Sequence, residues 1–459
     1  MSSQKNGRKR QVITFFTASL IIYIVFFIYS TWPNDIPLRP KFWTDPHSRA
    51  PESIFPYLSL DEKQCEATFP GLVEDIKNTV ALGPFDLTAI HHNSGPLQAQ
   101  IKNGQLSILH AEKKGTLSKE LVQSRTAALH QIHRAILTSP GPLPDTVFSL
   151  NIQDQAYGTA WSYARPAFAA PVPSVPYIHR AFLMPHFAYW NWPLPFIGSL
   201  ANGSAAVDAI ERALPFSRKD PRVVWRGTAR FNGAHYPHLR QDLLDATRDA
   251  AWADVQALDN YDFNSVSGDD HGNDEDGSEM DSRSPAMMIE DFCRYKYVLY
   301  TDGITYSGRL QFLQMCGSVL ITAPIAWLQH TTHLVRPLFS SDLDLGSDRT
   351  WSPSEAVNQT WQDHYPPEEA NAVFVSPDWS DLEATVQWLE ENPHMAEGIA
   401  GRQRELYVGK GYFSPAAEVC YWRALIRGWA SVVQLDGERW EGQDAISWEL
   451  FTMTHELYH

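Results

Sequence analysis

The sequence predicts an α/β protein of two domains preceded by one membrane-spanning helix. At 459 residues and 44% hydrophobic, the chain can bury two cores. From Leu97 onward, helical apolar spacing alternates with short apolar strand runs, which is the grammar of an α/β fold. An uncharged run from Gln11 to Asn34 follows the basic cluster Arg8, Lys9 and Arg10.

Residues 1–10 read as a cytosolic tail and 11–32 as a signal anchor, long enough as a helix to cross roughly 30 Å of hydrocarbon. Positive residues stay cytosolic, so the rest of the chain is expected in the lumen, with Tyr29 and Trp32 at an interface. A cleaved signal peptide is the competing reading. The apolar core exceeds the roughly 7–15 residues of such a signal, and "YSTWP" is a poor cleavage site. Residues 33–70 are rich in Pro without apolar periodicity and read as a stem.

The first domain is expected over 71–198. "LQAQIKNGQLSIL" alternates around Asn103-Gly104 and predicts a hairpin. "SKELVQSRTAALHQIHRAIL" places Leu121, Ala128, Ile132 and Ile136 on one helical face. A strand from Thr146 to Ile152 follows and delivers Asp154 just past its end. The second domain is expected over 199–425, with "VVW" as a strand and Arg226-Gly227-Thr228 as the turn after it. Residues 258–285 form a low-complexity acidic loop. Its "DEDG" has the form of an Asp-x-Asp metal motif but follows no buried strand, so a solvated insertion is the better reading. "DWSDLEATVQWLEENPHMAEGIAGRQRELY" carries Leu382, Val386 and Leu389 on one face and reads as a helix; "SPAAEVCYWRALIRGWASVV" is another. Residues 426–459 complete a C-terminal helical segment.

A net charge of −16 argues against a general nucleic-acid binder. Sixteen Trp and eighteen Tyr point weakly to carbohydrate, because a pyranose packs its C–H face on a flat π surface. In a lumen, Asn202-Gly-Ser and Asn358-Gln-Thr become glycosylation acceptors. Cys65, Cys293, Cys316 and Cys420 contain no CxxC pair, which disfavours structural zinc and leaves three disulfide connectivities. The terminal "HELYH" is no retrieval signal, so a Golgi membrane fits better than the endoplasmic reticulum.

Candidate chemistry concentrates at two places. "YKYVLYTDGITYSGRLQFLQMCGSVLI" reads as strand, turn, short helix and parallel strand. Ser307-Gly308-Arg309 opens the helix, where it is either an anion site or an ordinary N-terminal turn. Cys293 and Cys316 precede its two strands, so a disulfide between them is plausible. Asp154, past a strand's carboxyl end, is either a base for a hydroxyl nucleophile or a cap. Arg226 is equally ambiguous alone. "HQIH" and "HTTH" look like metal pairs without a third ligand, and packed or exposed histidines are the better reading.

Together these segments resemble glycosyltransferase family 90, which includes protein O-glucosyltransferases and fungal capsule xylosyltransferases. "CRYKYVLYTDGITYSGRLQFLQMCGSVLI" resembles the family's Tyr-Lys-Tyr, Asp-Gly and Ser-x-Arg signature. "LPDTVFSLNIQD", "FAYWNWP", "VVWRGT" and "CYWRAL" are similar to its other segments, in chain order, with agreement from Leu143 to Val433. The resemblance implies a GT-B-like fold of two Rossmann-like domains facing a cleft. It also implies inverting, metal-independent transfer from UDP-xylose or UDP-glucose to a glycan or protein hydroxyl, with no cofactor. Asp154 would be the base; Arg226, Gly227, Thr228, Arg240, Asp302, Ser307, Gly308 and Arg309 would bind the UDP-sugar. It further implies the pairs Cys293–Cys316 and Cys65–Cys420. The departures are the acidic loop, a longer segment at 338–372 and Gln155, all of which bear on the acceptor. The rival from another class is a lumenal carbohydrate-binding protein that keeps the fold without catalysis.

Overall fold

Asn103 and Gly104 both adopt left-handed backbone, with φ of +51° and +74°. They close the two-residue turn between β1 (Leu97–Lys102) and β2 (Gln105–His110), because a primed turn matches the twist of the paired strands. The structure is a computed structural model and describes residues 55–87, 97–112, 117–156, 159–168, 180–192, 197–258, 286–346, 351–435 and 444–456. The expected anchor at 11–32, most of the stem and the acidic loop beyond Leu258 lie outside the described residues. Among the described residues, no helix is long and apolar enough to cross a membrane.

The predicted amphipathic helix forms as α1 (Lys119–Leu137), with Ser118 Oγ capping the Leu121 N–H at 3.3 Å. β3 (Thr146–Leu150) then pairs antiparallel with β1, and β4 (Trp161–Ser162) and β5 (Phe182–Leu183) continue in parallel. This first sheet is mixed. Its core is aromatic, with Phe148 stacked on Trp161 at 3.9 Å between centroids.

After α2 (Leu200–Ala213), a second sheet is built from parallel strands only. Its members are β6 (Asp220–Gly227), β7 (Ala253–Ala257), β8 (Tyr295–Tyr300), β9 (Val319–Thr322), β10 (Pro337–Phe339) and β11 (Ala372–Phe374). They lie in the order β10-β11-β9-β8-β6-β7. Both faces are covered, so Val223, Val224, Val298, Leu299, Leu320 and Ile321 are all buried. Each such aliphatic side chain contributes about 1.5–3 kcal/mol of burial. β8 and β9 are the expected parallel pair.

Three local expectations change. β6 runs through Arg226 and Gly227, so the turn begins only at Thr228. The helix after Arg309 is a single turn, α4 (Leu310–Leu313), too short for an appreciable dipole, so an anion here cannot rely on one. The long helix near residue 390 splits into α5 (Leu382–Glu391) and α6 (Pro393–Arg404), because Pro393 can start a helix but not continue one.

The chain finally returns to the first sheet. α7 (Pro415–Val432) packs against α1, and β12 (Ile446–Ser447) pairs with β2. Both implied disulfides are present: Cys65–Cys420 joins the helix Glu62–Thr68 to α7, and Cys293–Cys316 joins the entries to β8 and β9. Residues 54–459 form one compact unit. Asn202 and Asn358 are both exposed, the first in α2 and the second in the helix Glu355–Thr360.

Candidate active site

A cleft of about 530 Å³ collects residues from both sheets. The first sheet contributes Asp154 from the loop after β3. Asn151, fully buried, clamps that loop: its Oδ1 accepts from the Gln153 N–H at 3.0 Å, and its Nδ2 donates to the Gln155 carbonyl at 2.7 Å. Asp154 keeps an exposed face in the cleft. Surrounding protein atoms nevertheless desolvate it and raise its carboxyl above the ordinary 3.8, while a hydrogen bond from the Tyr306 hydroxyl opposes the rise. Sequence reasoning missed both Asn151 and Tyr306 as working parts, although each stands inside a quoted segment.

The second sheet contributes cations. Arg240, on α3 (Leu239–Ala246), donates from Nη1 to the Thr228 carbonyl at 3.0 Å and from Nε to the Asp302 carbonyl at 3.1 Å. Arg309 donates to the Arg226 carbonyl. Burial and the mutual repulsion of the two guanidinium groups pull Arg309 down to about 10, and burial pulls Arg240 to the same value. Two desolvated cations side by side favour an anion between them. Thr228, Ser307 and Gly308 line the same cleft.

Two candidate ligands sit elsewhere. Arg226 turns along the sheet and pairs with Asp254 Oδ1 at 2.8 Å, its Nη1 also donating to the Trp225 and Asp254 carbonyls. It is absent from the described lining of the cleft. Asp302 is buried, its two oxygens accepting from the Tyr300 hydroxyl at 2.8 Å and the Ala326 N–H at 2.9 Å. Desolvation raises it to about 6. Both residues brace the cleft's wall.

The glycines act through space. A Cβ on Gly227 would lie 2.5 Å from the Trp225 ring, and one on Gly308 would lie 2.7 Å from His186 Nε2. His186 lines the cleft and is held neutral by burial. Its Nδ1 accepts from the Ala188 N–H at 3.1 Å, so the ring proton resides on Nε2, beside Gly308. In the paired-histidine motifs, His130 stacks on Trp190 and His330 meets the Tyr189 hydroxyl at 3.3 Å. Among the described residues no group of three or more acidic, His or Cys side chains could hold a metal ion.

Set beside known proteins, the chain matches the sequence profile of Glycosyl transferase family 90 over residues 63–340. The chain belongs to this family, and it is a glycosyltransferase. Human "Protein O-glucosyltransferase 1" is 21% identical over 362 residues, covering 77% of this chain and 79% of that protein. The bovine protein of the same name is 21% identical over 323 residues, covering 69% of this chain and 70% of its own length. The "O-glucosyltransferase rumi homolog" of Aedes aegypti is 26% identical over 153 residues, covering 33% and 30% of the two chains.

Proposed function

We propose that the protein transfers xylose or glucose, with inversion, from a UDP-sugar to a hydroxyl of a glycan or protein in the secretory pathway. The observation that carries this reading is that one cleft holds both Asp154 and the Arg240–Arg309 pair. Asp154, ionised, takes the acceptor proton as the hydroxyl attacks the anomeric carbon in line. Arg240 and Arg309, with Thr228, Ser307 and Gly308, face the diphosphate and stabilise the charge that develops as it leaves. Arg226 and Asp302 hold the walls, and Tyr306 orients the base.

In this reading the two sheets are the cores of a GT-B-like pair of Rossmann-like lobes, and the cations do the work a metal does in other transferases. The segment 11–32 anchors the chain in a Golgi or endoplasmic reticulum membrane with the cleft lumenal. The names of the relatives favour glucose. Xylose differs from it only by lacking the hydroxymethyl group, so a single pocket contact can decide between them.

The test is UDP release with UDP-glucose and UDP-xylose in a coupled assay, with and without chelator. Asp154→Asn should abolish release. Unchanged turnover in that variant removes Asp154 as the base, and loss of turnover with chelator removes metal independence.

A further inference from the structure

His186 follows β5 on the mixed-sheet side of the cleft, yet its ring reaches the turn at Gly308 on the parallel-sheet side. The ring is held from several directions. Its Nδ1 caps the short helix Phe187–Tyr189, and Gln131 Nε2 donates to the His186 carbonyl at 3.1 Å. Phe187 and Trp192 lie 3.8 and 5.0 Å away between centroids, and Tyr306 meets the ring edge-on at 5.7 Å.

One atom is left over. His186 is 3% exposed and lines the cleft, and its Nε2 has no hydrogen-bond partner among the described residues. Unlike the enclosed unmet polar atoms of the core, this Nε2 keeps accessible surface. A buried N–H without an acceptor is costly, so one that opens on a cleft is matched by what binds there.

Its neighbours say where that acceptor lies. Tyr306, edge-on to the ring, donates to Asp154, while Gly308, against Nε2, precedes Arg309. The donor therefore stands between the base and the cations, on the side of the cations. A sugar hydroxyl can be matched by a donor or an acceptor, whereas an ionised phosphate oxygen only accepts. Its charge also grows as the bond to the anomeric carbon breaks, so a donor fixed there acts most strongly in the transition state. Burial keeps the ring neutral, and a neutral imidazole donates this hydrogen bond without giving up its proton.

We propose that His186 is a further catalytic residue, whose Nε2–H donates to the β-phosphate oxygen that leaves the anomeric carbon. As the acceptor oxygen bonds to that carbon, its proton passes to Asp154. The electron pair of the breaking C–O bond stays on the phosphate oxygen, and the imidazole keeps its proton throughout. This role rests on the proposed reading of Arg240 and Arg309 as the ligands of the diphosphate.

UDP and UMP are titrated into the full-length chain, and UDP release is followed with whichever UDP-sugar the parent turns over. His186→Phe keeps a ring in the packing and His186→Met fills the space with a flexible chain. Both remove the donor, and either one, folded, suffices. Each should lower kcat about 10²–10³-fold. Each should also weaken UDP about tenfold and leave UMP, which has no β-phosphate, bound as in the parent. His186→Gln carries an amide N–H to a similar reach and should recover most of the lost kcat. A merely structural role would weaken UMP as much as UDP, and that result overturns the proposal. Unchanged kcat without the donor overturns it too, as does weaker UDP-sugar binding with UDP unchanged, which puts the donor on the sugar. A parent chain that neither binds UDP nor releases it removes the active-site reading and this role together. A parent that does both, with donor-free variants that match it, removes this role alone.

Discussion

The two sheets carry opposite charges to one cleft, and they do so with different backbones. The parallel sheet buries both faces and brings its cations from the segments beyond its strands, Arg240 on α3 and Arg309 at the start of α4, with Asp302 as the nearby buried acid. The mixed sheet ends β3 in a clamped loop with one carboxylate, Asp154. The base and the cationic pocket draw on separate residues except at Tyr306, which stands in the parallel sheet's loop before Arg309 and donates its hydroxyl to Asp154. Arginine is informative here only by direction: Arg226 lies near the end of β6 and Arg309 opens α4 after the adjacent β8, yet Arg309 lines the cleft while Arg226 pairs along the sheet.

The largest test of the division is Asp154→Asn, expected to lower kcat by about 10²–10⁴-fold with UDP affinity near that of the parent. A matching loss of UDP affinity would break the claim that the two sides act separately. Next, Arg309→Ala should lower kcat/KM for the UDP-sugar about 10²–10³-fold, with little recovery in Arg309→Lys. Arg226→Ala should instead destabilise the fold by about 1.5–3 kcal/mol, because Asp254 loses its nearest cation and keeps Tyr295, Gln256 and the more distant Arg222, while the folded fraction keeps its KM. Denaturant titration beside kinetics separates these outcomes. Replacing Cys293 and Cys316 together with Ser should cost about 3 kcal/mol in the same titration and leave kcat/KM unchanged, since this bond closes the loop between the starts of β8 and β9.

The smallest effect sharpens the carboxylate side. Tyr306 donates to ionised Asp154, so Tyr306→Phe removes a stabiliser of the charged form and raises the carboxyl further above 3.8. A base must be ionised, so the acid limb of the kcat/KM profile should move to higher pH. A limb that moves to lower pH would assign Tyr306 another role.

Much of this was legible in the sequence because it depends on short-range chemistry. Asn103-Gly104 fixes its hairpin alone, and the strand–turn–strand around Ser307-Gly308-Arg309 is visible from its apolar runs. Asp154 reads correctly as a loop residue past a strand. What stayed hidden depends on contacts across the chain. Nothing local says that Arg226 will find Asp254, or that His186 will press on Gly308. Pro393 is a break signal inside a segment read as one helix, and the buried face resumes past it at Ala396 and Ile399. Tyr306 and Asn151 give no signal of their own, since a phenol or amide becomes functional only through the group it meets.

The return of α7 and β12 to the first sheet also has a meaning for synthesis. The nascent chain emerges at about 5–20 residues per second, and the sheet carrying Asp154 begins before the parallel sheet. The edge strand and covering helix of that first sheet, and the cysteine partner of Cys65, are made only after the parallel sheet. The first sheet must therefore wait, incompletely covered, until the parallel sheet has been produced, whereas the parallel sheet can close earlier. Truncation near residue 415 is expected to strike hardest at a region some 260 residues upstream, because the cut removes the lid rather than the neighbour.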